Sequence, residues 1–311
     1  MISVVIPCFN EEGNVKLIYD RLIEVLKNYK LELIFVNDGS TDKTLENLKK
    51  IVKESKTLIK VINFSRNFGK ESAIFAGLEH ASGDFISIID SDMQQDPLYI
   101  KKMVDFLLKN DEYDSVAMYQ EKRKEGVLSS FLKKRFYKFI NKISDTKLRE
   151  DASDFRTLRK KVVKDVISLK EYYRFSKGIF SWIGYNTYYM PYEVKERASG
   201  KTKWSIKSLF KYAFDGIISF TTAPLRFATY IGLLTSFASV VYLIVVVVQK
   251  IFFGIDIPGY ATIITLILLL GGLQLFSLGI IGEYIGRSYI EVKKRPIYIA
   301  KNIISSEKED D

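Results

Sequence analysis

The sequence predicts an α/β fold, a mostly parallel sheet with helices on both faces, followed by two helices of membrane-spanning length. Three observations predict it. Short β-branched runs alternate with helix-period segments through the first ninety or so residues. Polar clusters recur at the C-terminal ends of three of those runs, where open α/β sheets take their ligands. The last third holds two uncharged stretches, residues 227–248 and 260–282, and about 20 apolar residues suffice to cross a hydrocarbon core as a helix.

Taken in order, residues 2–6 form a β-branched run that Pro7 is expected to stop. Residues 12–28 place Val15, Ile18, Leu22, Val25 and Leu26 at helical spacing, and 31–36 read as a second strand. A helix over 41–55 is predicted to be capped by Ser40 or Thr41. Residues 59–63 give a third strand, 70–81 a helix and 84–89 a fourth strand. The polar clusters are Asn10-Glu11-Glu12, Asn37-Asp38-Gly39-Ser40 and Asp90-Ser91-Asp92. One could be chance, but three in register along one sheet edge make a site. The N-terminus lacks the basic region of a signal peptide, and its apolar run ends at Pro7 after a few residues.

Composition narrows the chemistry. With 311 residues, 47% of them apolar, the chain can bury a sizeable core, which excludes a disulfide-stapled miniprotein and a disordered tail. Its single cysteine, Cys8, excludes an intrachain disulfide, and its single histidine, His80, excludes any site built on two imidazoles. Ser-His-Asp chemistry would have to run through His80, which sits in an ordinary helical Leu78-Glu79-His80-Ala81 run and reads as a helix-surface residue. The formal charge of +10 suggests an anionic partner. Nucleic acid is not that partner: no RNA-binding, helix-turn-helix or zinc pattern occurs, and the basic residues collect beside the apolar spans.

At the sheet edge no GxGxxG follows the first strand and no GxxxxGK[ST] occurs. The edge carries carboxylates instead: Glu11, Asp38, Asp90, Asp92 and Asp96. Gathered carboxylates repel a phosphate unless a cation neutralises them, and hard oxygen ligands suit Mg²⁺ or Mn²⁺. An Asp-x-Asp at a strand end can hold an ion that bridges a diphosphate and stabilises it as a leaving group.

The membrane segments have their own grammar. Residues 249–259 are a short link with Pro258-Gly259 as a turn signal, so the two spans form a hairpin. Arg226 precedes the first span, while Arg287, Lys293, Lys294 and Arg295 follow the second; Lys250 and Asp256 cancel in the link. The positive-inside rule puts both ends in the cytoplasm. Residues 305–311 are polar and acidic and are expected to fray. Two amphipathic helices are expected at the membrane surface. One carries Leu132, Phe136, Phe139, Ile140 and Ile143 among lysines and arginines; the other carries Ile206, Leu209, Phe210, Ala213, Phe214 and Ile217.

Five ordered motifs carry a resemblance that spans nearly the whole chain. Val4-Val5-Ile6-Pro7-Cys8-Phe9-Asn10-Glu11 resembles the opening of inverting nucleotide-sugar glycosyltransferases of the GT-A fold, and Val36-Asn37-Asp38-Gly39-Ser40-Thr41-Asp42 resembles their second motif. Asp90-Ser91-Asp92-Met93-Gln94-Gln95-Asp96-Pro97 resembles their metal motif in the form typical of polyprenyl-phosphate glycosyltransferases. Asp154-Phe155-Arg156 and Arg197-Ala198-Ser199-Gly200-Lys201-Thr202-Lys203-Trp204 match the same branch, as does the hairpin.

The resemblance implies a GT-A catalytic domain over 1–200, an interfacial region over 201–226, two transmembrane helices over 227–282 and a cytoplasmic tail over 283–311. It also implies transfer of a sugar with inversion from a nucleotide-sugar, UDP favoured over GDP, to undecaprenyl phosphate or a similar lipid. Pro7, Glu11, Asp38, Ser40, Asp90, Ser91 and Asp92 would line the nucleotide-sugar site; Asp90, Asp92 and Gln94 would hold Mg²⁺ or Mn²⁺. Asp92 and Asp154 would be the catalytic carboxylates, with a helix N-cap as the plainer role for Asp154. Arg197 and Lys203 would hold the acceptor phosphate. The family often carries Arg near Gln120, and Arg123 or Arg135 would substitute here; Thr202 replaces a common Ser and keeps the hydroxyl. Related enzymes with such hairpins can form tetramers, so a homo-oligomer is a possible partner state. A processive polysaccharide synthase would need more spans and a Gln-x-x-Arg-Trp motif, and a non-catalytic sugar-nucleotide sensor would not need the intact Asp90, Asp92 and Gln94.

Overall fold

The computed structural model describes residues 1–120, 152–193, 218, 221–253 and 259–306. Arg123, Arg135, Arg197, Lys203 and both expected amphipathic helices lie outside the described residues.

The alternation read from the sequence becomes β1 (Ile2–Cys8), α1 (Val15–Leu26), β2 (Leu31–Asn37), α2 (Thr44–Glu54), β3 (Leu58–Phe64), α3 (Lys70–Glu79) and β4 (Phe85–Ile88). Then come α4 (Leu98–Lys109), β5 (Ser115–Gln120), β6 (Ala152–Arg159), α5 (Lys160–Ser168), α6 (Ser176–Trp182) and β7 (Thr187–Tyr192). Two long helices, α7 (Ala223–Phe253) and α8 (Tyr260–Val292), precede a last strand, β8 (Ala300–Ser305). One sheet runs β7-β5-β6-β4-β1-β2-β3-β8. Its centre is parallel, β4 and β2 flanking β1 and β3 beyond β2, while β6 and β8 join antiparallel.

Central parallel strands are buried on both faces, so they read as unbroken apolar runs. Val4 and Ile6 pack into one core with Leu22, Leu33 and Phe35, and Val5, Ile34, Val36 and Ile62 pack into the other. The helices close these cores from both sides. Gly77 of α3 meets the sheet so closely that an added Cβ would sit 2.1 Å from a Val5 methyl.

Four boundaries differ from the sequence expectation. Pro7 does not stop β1, which continues to Cys8. Along β1 the carbonyls of Val5 and Pro7 both face β4; Val5 O still takes Ile89 N, but β4 has ended before Pro7, whose carbonyl accepts Ser91 Oγ, so its missing N–H breaks no ladder bond. Neither Ser40 nor Thr41 caps α2: it begins at Thr44, whose N–H and hydroxyl both go to Asp42 Oδ1. Asp154 is not a helix cap but lies within strand β6. Ser305 and Ser306 do not fray. Ser305 pairs with Lys60, and Ser306 Oγ accepts from Ile59 N–H at 2.9 Å and donates to Thr57 O.

Stretches 260–282 and 227–248 fall inside helices of 33 and 31 residues. Both are long and apolar enough to cross a membrane, with mean hydropathy 2.3 and 2.6 respectively and no burial of their most apolar windows. At 1.5 Å per residue α8 is about 50 Å long, longer than a hydrocarbon core of about 30 Å. Its last turns dock on the α/β domain. Glu291 Oε1 accepts from the N–H groups of Tyr172 and Tyr173, and the Arg287 guanidinium lies 4.7 Å from the Tyr173 ring centre.

Candidate active site

The loops after the parallel strands knit to one another before they can present anything to a ligand. After β1, Asn10 takes a positive φ of 53°; its N–H donates to Ser40 Oγ, and its side-chain oxygen accepts from Thr41 N–H. Glu11 N–H donates to Thr44 Oγ1, and its carboxylate accepts from Asn14 Nδ2. Pro7, Glu11 and Ser40 thus sit together at the mouth between β1 and β2.

After β2, Asp38 turns inward and is 3% exposed. Its carboxylate accepts from Phe68 N–H at 2.6 Å and Gly69 N–H at 3.0 Å, tying this loop to the one after β3. Burial pushes its pKa up to about 6 against the pull of those two N–H groups and of Arg66. The folded carboxyl therefore holds its proton more tightly than the unfolded one. Between about pH 4 and 6 the native state binds the extra proton, so stability falls as pH rises through that window. The expected result is that Asp38→Asn raises thermal stability at pH 7.5, by up to about 2–3 kcal/mol for a shift of about two units, and that the gain falls to roughly half near pH 5 and disappears below about pH 4. Thermal melts of the two proteins at these pH values check it; an equal gain at pH 5 would contradict the burial argument.

Gly39 makes this crossing possible. It has φ +65°, and a Cβ there would lie 2.4 Å from the Arg66 carbonyl carbon. Gly39→Ala is expected to destabilise the protein by about 2–4 kcal/mol, left-handed strain and overpacking adding together, read as a lower melting temperature.

After β4, Asp90 N–H donates to Gln95 Oε1, and Gln95 Nε2 returns a bond to Asp90 Oδ2. Ser91 is buried against Pro7, and Asp92 Oδ1 accepts from Gln94 N–H across the left-handed Met93 (φ 62°). The fourth wall is β6. Its antiparallel register with β4 pairs Ile88 with Arg156, so continuing two residues further sets Asp154 level with Asp90. Lys70, the first residue of α3, spans the pair: Nζ lies 2.7 Å from Asp90 Oδ1 and 3.3 Å from Asp154 Oδ2.

The electrostatics follow. Burial works against the charge on Asp154, but Lys70, Lys177 and Arg156 outweigh it and hold the carboxyl well below the usual range. Burial likewise opposes the Lys70 charge, and Asp90 with Asp154 overcomes it, so the ammonium stays protonated. Glu71, next along α3, is pushed up by burial and by Asp154, and accepts from both N–H and Oγ of Ser176. Asp154 Oδ1 is buried with no hydrogen-bond partner among the described residues.

Pro7, Glu11, Asp38, Ser40, Asp90, Ser91, Asp92, Gln94 and Asp154 therefore all lie along the C-terminal edge of the sheet or beside it. Sequence reasoning missed Lys70, Glu71 and the α6 residues Ser176 and Lys177. The signal for Lys70 was present: Ser65-Arg66-Asn67-Phe68-Gly69 is a fourth polar turn after a strand, in register with the other three.

A GT-A-type α/β sheet with an Asp-x-Asp turn after a strand facing a second carboxylate, followed by two long apolar helices, defines a sugar transferase. Residues 3–167 match glycosyl transferase family 2, and residues 223–288 match the GtrB C-terminal hairpin. The chain belongs to glycosyl transferase family 2. It is 45% identical to the protein described as putative glycosyltransferase CsbB of Bacillus subtilis, over 97% of this chain and 91% of that one. It is 41% identical to the prophage bactoprenol glucosyl transferase homolog of Escherichia coli, over 97% of this chain and 99% of that one. It is equally similar, 41%, to the bactoprenol glucosyl transferase of Shigella phage SfV, over 97% and 98%.

Proposed function

We propose that this enzyme transfers a hexose with inversion from a UDP-sugar to a polyprenyl phosphate, undecaprenyl phosphate in the first instance, at the cytoplasmic leaflet. Glucose is the sugar named in the relatives' descriptions and the first to test. The observation that carries the reading is that Asp90, in the turn after β4, and Asp154, on the neighbouring strand β6, are held by one ammonium, as a donor-side and an acceptor-side carboxylate.

The donor set fits a divalent ion. Asp90 and Asp92 supply carboxylates and Gln94 an amide oxygen, all hard ligands. No three His, Cys, Asp or Glu residues gather to hold a metal among the described residues. This suits Mg²⁺ or Mn²⁺, which take one or two carboxylates and complete their shell with substrate phosphate and water. When bound, such an ion neutralises the departing diphosphate.

The rest is done by the chain. The loops after β1 and β2 would seat the nucleoside, with Glu11 at the mouth and the buried Asp38 holding the second loop in place. Asp154, kept ionised by its cations, faces the sugar as an anion that stabilises developing positive charge at the ring. A lipid monophosphate has a second pKa of about 6, by analogy with phosphoserine. It arrives as a nucleophile, so alignment matters more than proton removal. Arg197 and Lys203 would hold that phosphate. The hairpin would bring the mouth to the lipid, and the basic residues beyond each span support a cytoplasmic side for both ends.

The test is a radiolabelled donor assay with purified full-length protein and undecaprenyl phosphate. Label moving into the organic phase, lost on chelation and restored by Mg²⁺ or Mn²⁺, is the expected result. Label in polymer, or in neither product with UDP-glucose and UDP-N-acetylglucosamine, would overturn the reading.

A further inference from the structure

We infer that Lys70 is a positioning residue of the transfer site: its ammonium bridges Asp90 and Asp154, and the bridge fixes the separation between the donor side and the acceptor side. The inference rests on the proposed function, because it takes Asp90 as facing the donor and Asp154 as facing the sugar.

Three independent restraints converge on this side chain. The backbone that launches it is pinned, since Phe68 and Gly69 donate to the buried Asp38 and Gly69 holds a φ of 98°. The residue after it is pinned as well, Glu71 accepting both donors of Ser176 at the start of α6. Its head group reaches two carboxylates that the strand register has already set level with one another. Two anions so placed repel, and without a cation between them the loop after β4 and the end of β6 would move apart. The head group reaches one carboxylate from the turn after β4 and one from β6, the two walls that the site must keep apart. It also lies where removal of its charge must be felt by a cation at Asp90.

The test uses the full-length protein in detergent with Lys70→Met and Lys70→Arg. For Lys70→Met we expect kcat to fall about 100-fold, as for a misaligned reacting pair, while KM for the donor stays within a small factor. Mn²⁺ binding measured without nucleotide should tighten, by about threefold or more, because a positive charge has been removed beside Asp90. Lys70→Arg should recover about tenfold of the lost rate and keep the wild-type Mn²⁺ affinity, since a guanidinium can still span two carboxylates. The inference is overturned if Lys70→Met keeps its kcat, if the loss falls in KM and UDP affinity, or if Mn²⁺ affinity is unchanged. Should Lys70→Met not fold, Lys70→Gln and the Mn²⁺ titration decide the same point. A wild-type protein that transfers no sugar would sink the proposed function alone, and the Mn²⁺ comparison would still decide whether Lys70 governs Asp90.

Discussion

Asp92→Ala is expected to abolish transfer, with a loss in kcat of about 10³-fold or more, the scale of removing a main electrostatic stabiliser of the leaving group. Asp154→Asn should retain measurable activity under saturating lipid phosphate. The two carboxylates differ in what the reaction asks of them. Departure of a nucleoside diphosphate leaves charge that must be neutralised where it forms, and Asp92 stands in the Asp-x-Asp turn, bonded to Gln94 N–H. The acceptor phosphate is already ionised near neutral pH, so Asp154 has no proton to take. In the proposed mechanism its contribution is a fixed negative charge near the sugar ring, and an asparagine keeps the shape while giving up that charge. The measurement is initial rate of lipid-extractable label at saturating acceptor, with circular dichroism confirming that both variants fold. Equal loss in the two variants would mean that the acceptor needs a general base, and the pre-ionised phosphate argument would fail.

The fold was legible where local pattern sufficed. Central parallel strands announce themselves as apolar runs, and the turn residues that follow them cannot be confused with strand or helix; Asn37-Asp38-Gly39-Ser40 is an example, with Gly39 forced to a positive φ. What could not be read was pairing between distant segments. Strand β8 is Ala-Lys-Asn-Ile-Ile-Ser, half exposed and without a strong alternation, and only its partner β3, some 240 residues earlier, makes it a strand. Asp154 was legible as a motif but not as a strand residue, because its place opposite Asp90 comes from antiparallel pairing with β4. For Lys70 the turn before it was a readable signal but its role was not: a lysine after a glycine at a helix start has an ordinary solvent-facing explanation, and only the carboxylates it reaches give it a role. Asp38 was read as facing a ligand, but its oxygens accept from the backbone of the next loop, so part of its task is to hold the edge of the site together.

Truncation after Val292, which keeps both long helices and removes β8, is expected to lower the melting temperature of the α/β domain by about 10 °C or more. Five residue pairs join β8 to β3, from Lys60–Ser305 to Phe64–Ala300. Ladder bonds are worth about 0.5–1.5 kcal/mol net apiece. The Tyr298 ring, stacked 4.9 Å from Phe64, adds about 0.5–1.5 kcal/mol beyond its burial. A loss near 4 kcal/mol moves the transition by about 8–16 °C in a domain of this size. The polar line Asn37–Asn63–Asn302, side chain to side chain across three strands, would lose its outer member and leave Asn63 Nδ2 without its acceptor. The cut also releases α3 at its far end, where Tyr298 donates to Glu79. That helix carries Lys70 and Glu71, and Glu71 meets Ser176, a few residues from the Tyr172 and Tyr173 amides that Glu291 holds. The segment before β8 therefore holds one end of α3, and the end of α8 holds the turn at Tyr172 and Tyr173, a few residues before the Ser176 that bonds Glu71 near the other end. A second truncation after Ser306 should leave the melting temperature within about 1 °C of wild type, because it keeps every described strand residue and every described ladder bond. If cutting after Val292 proved as mild as cutting after Ser306, β8 would be an accessory to the sheet rather than a strand on which its stability rests.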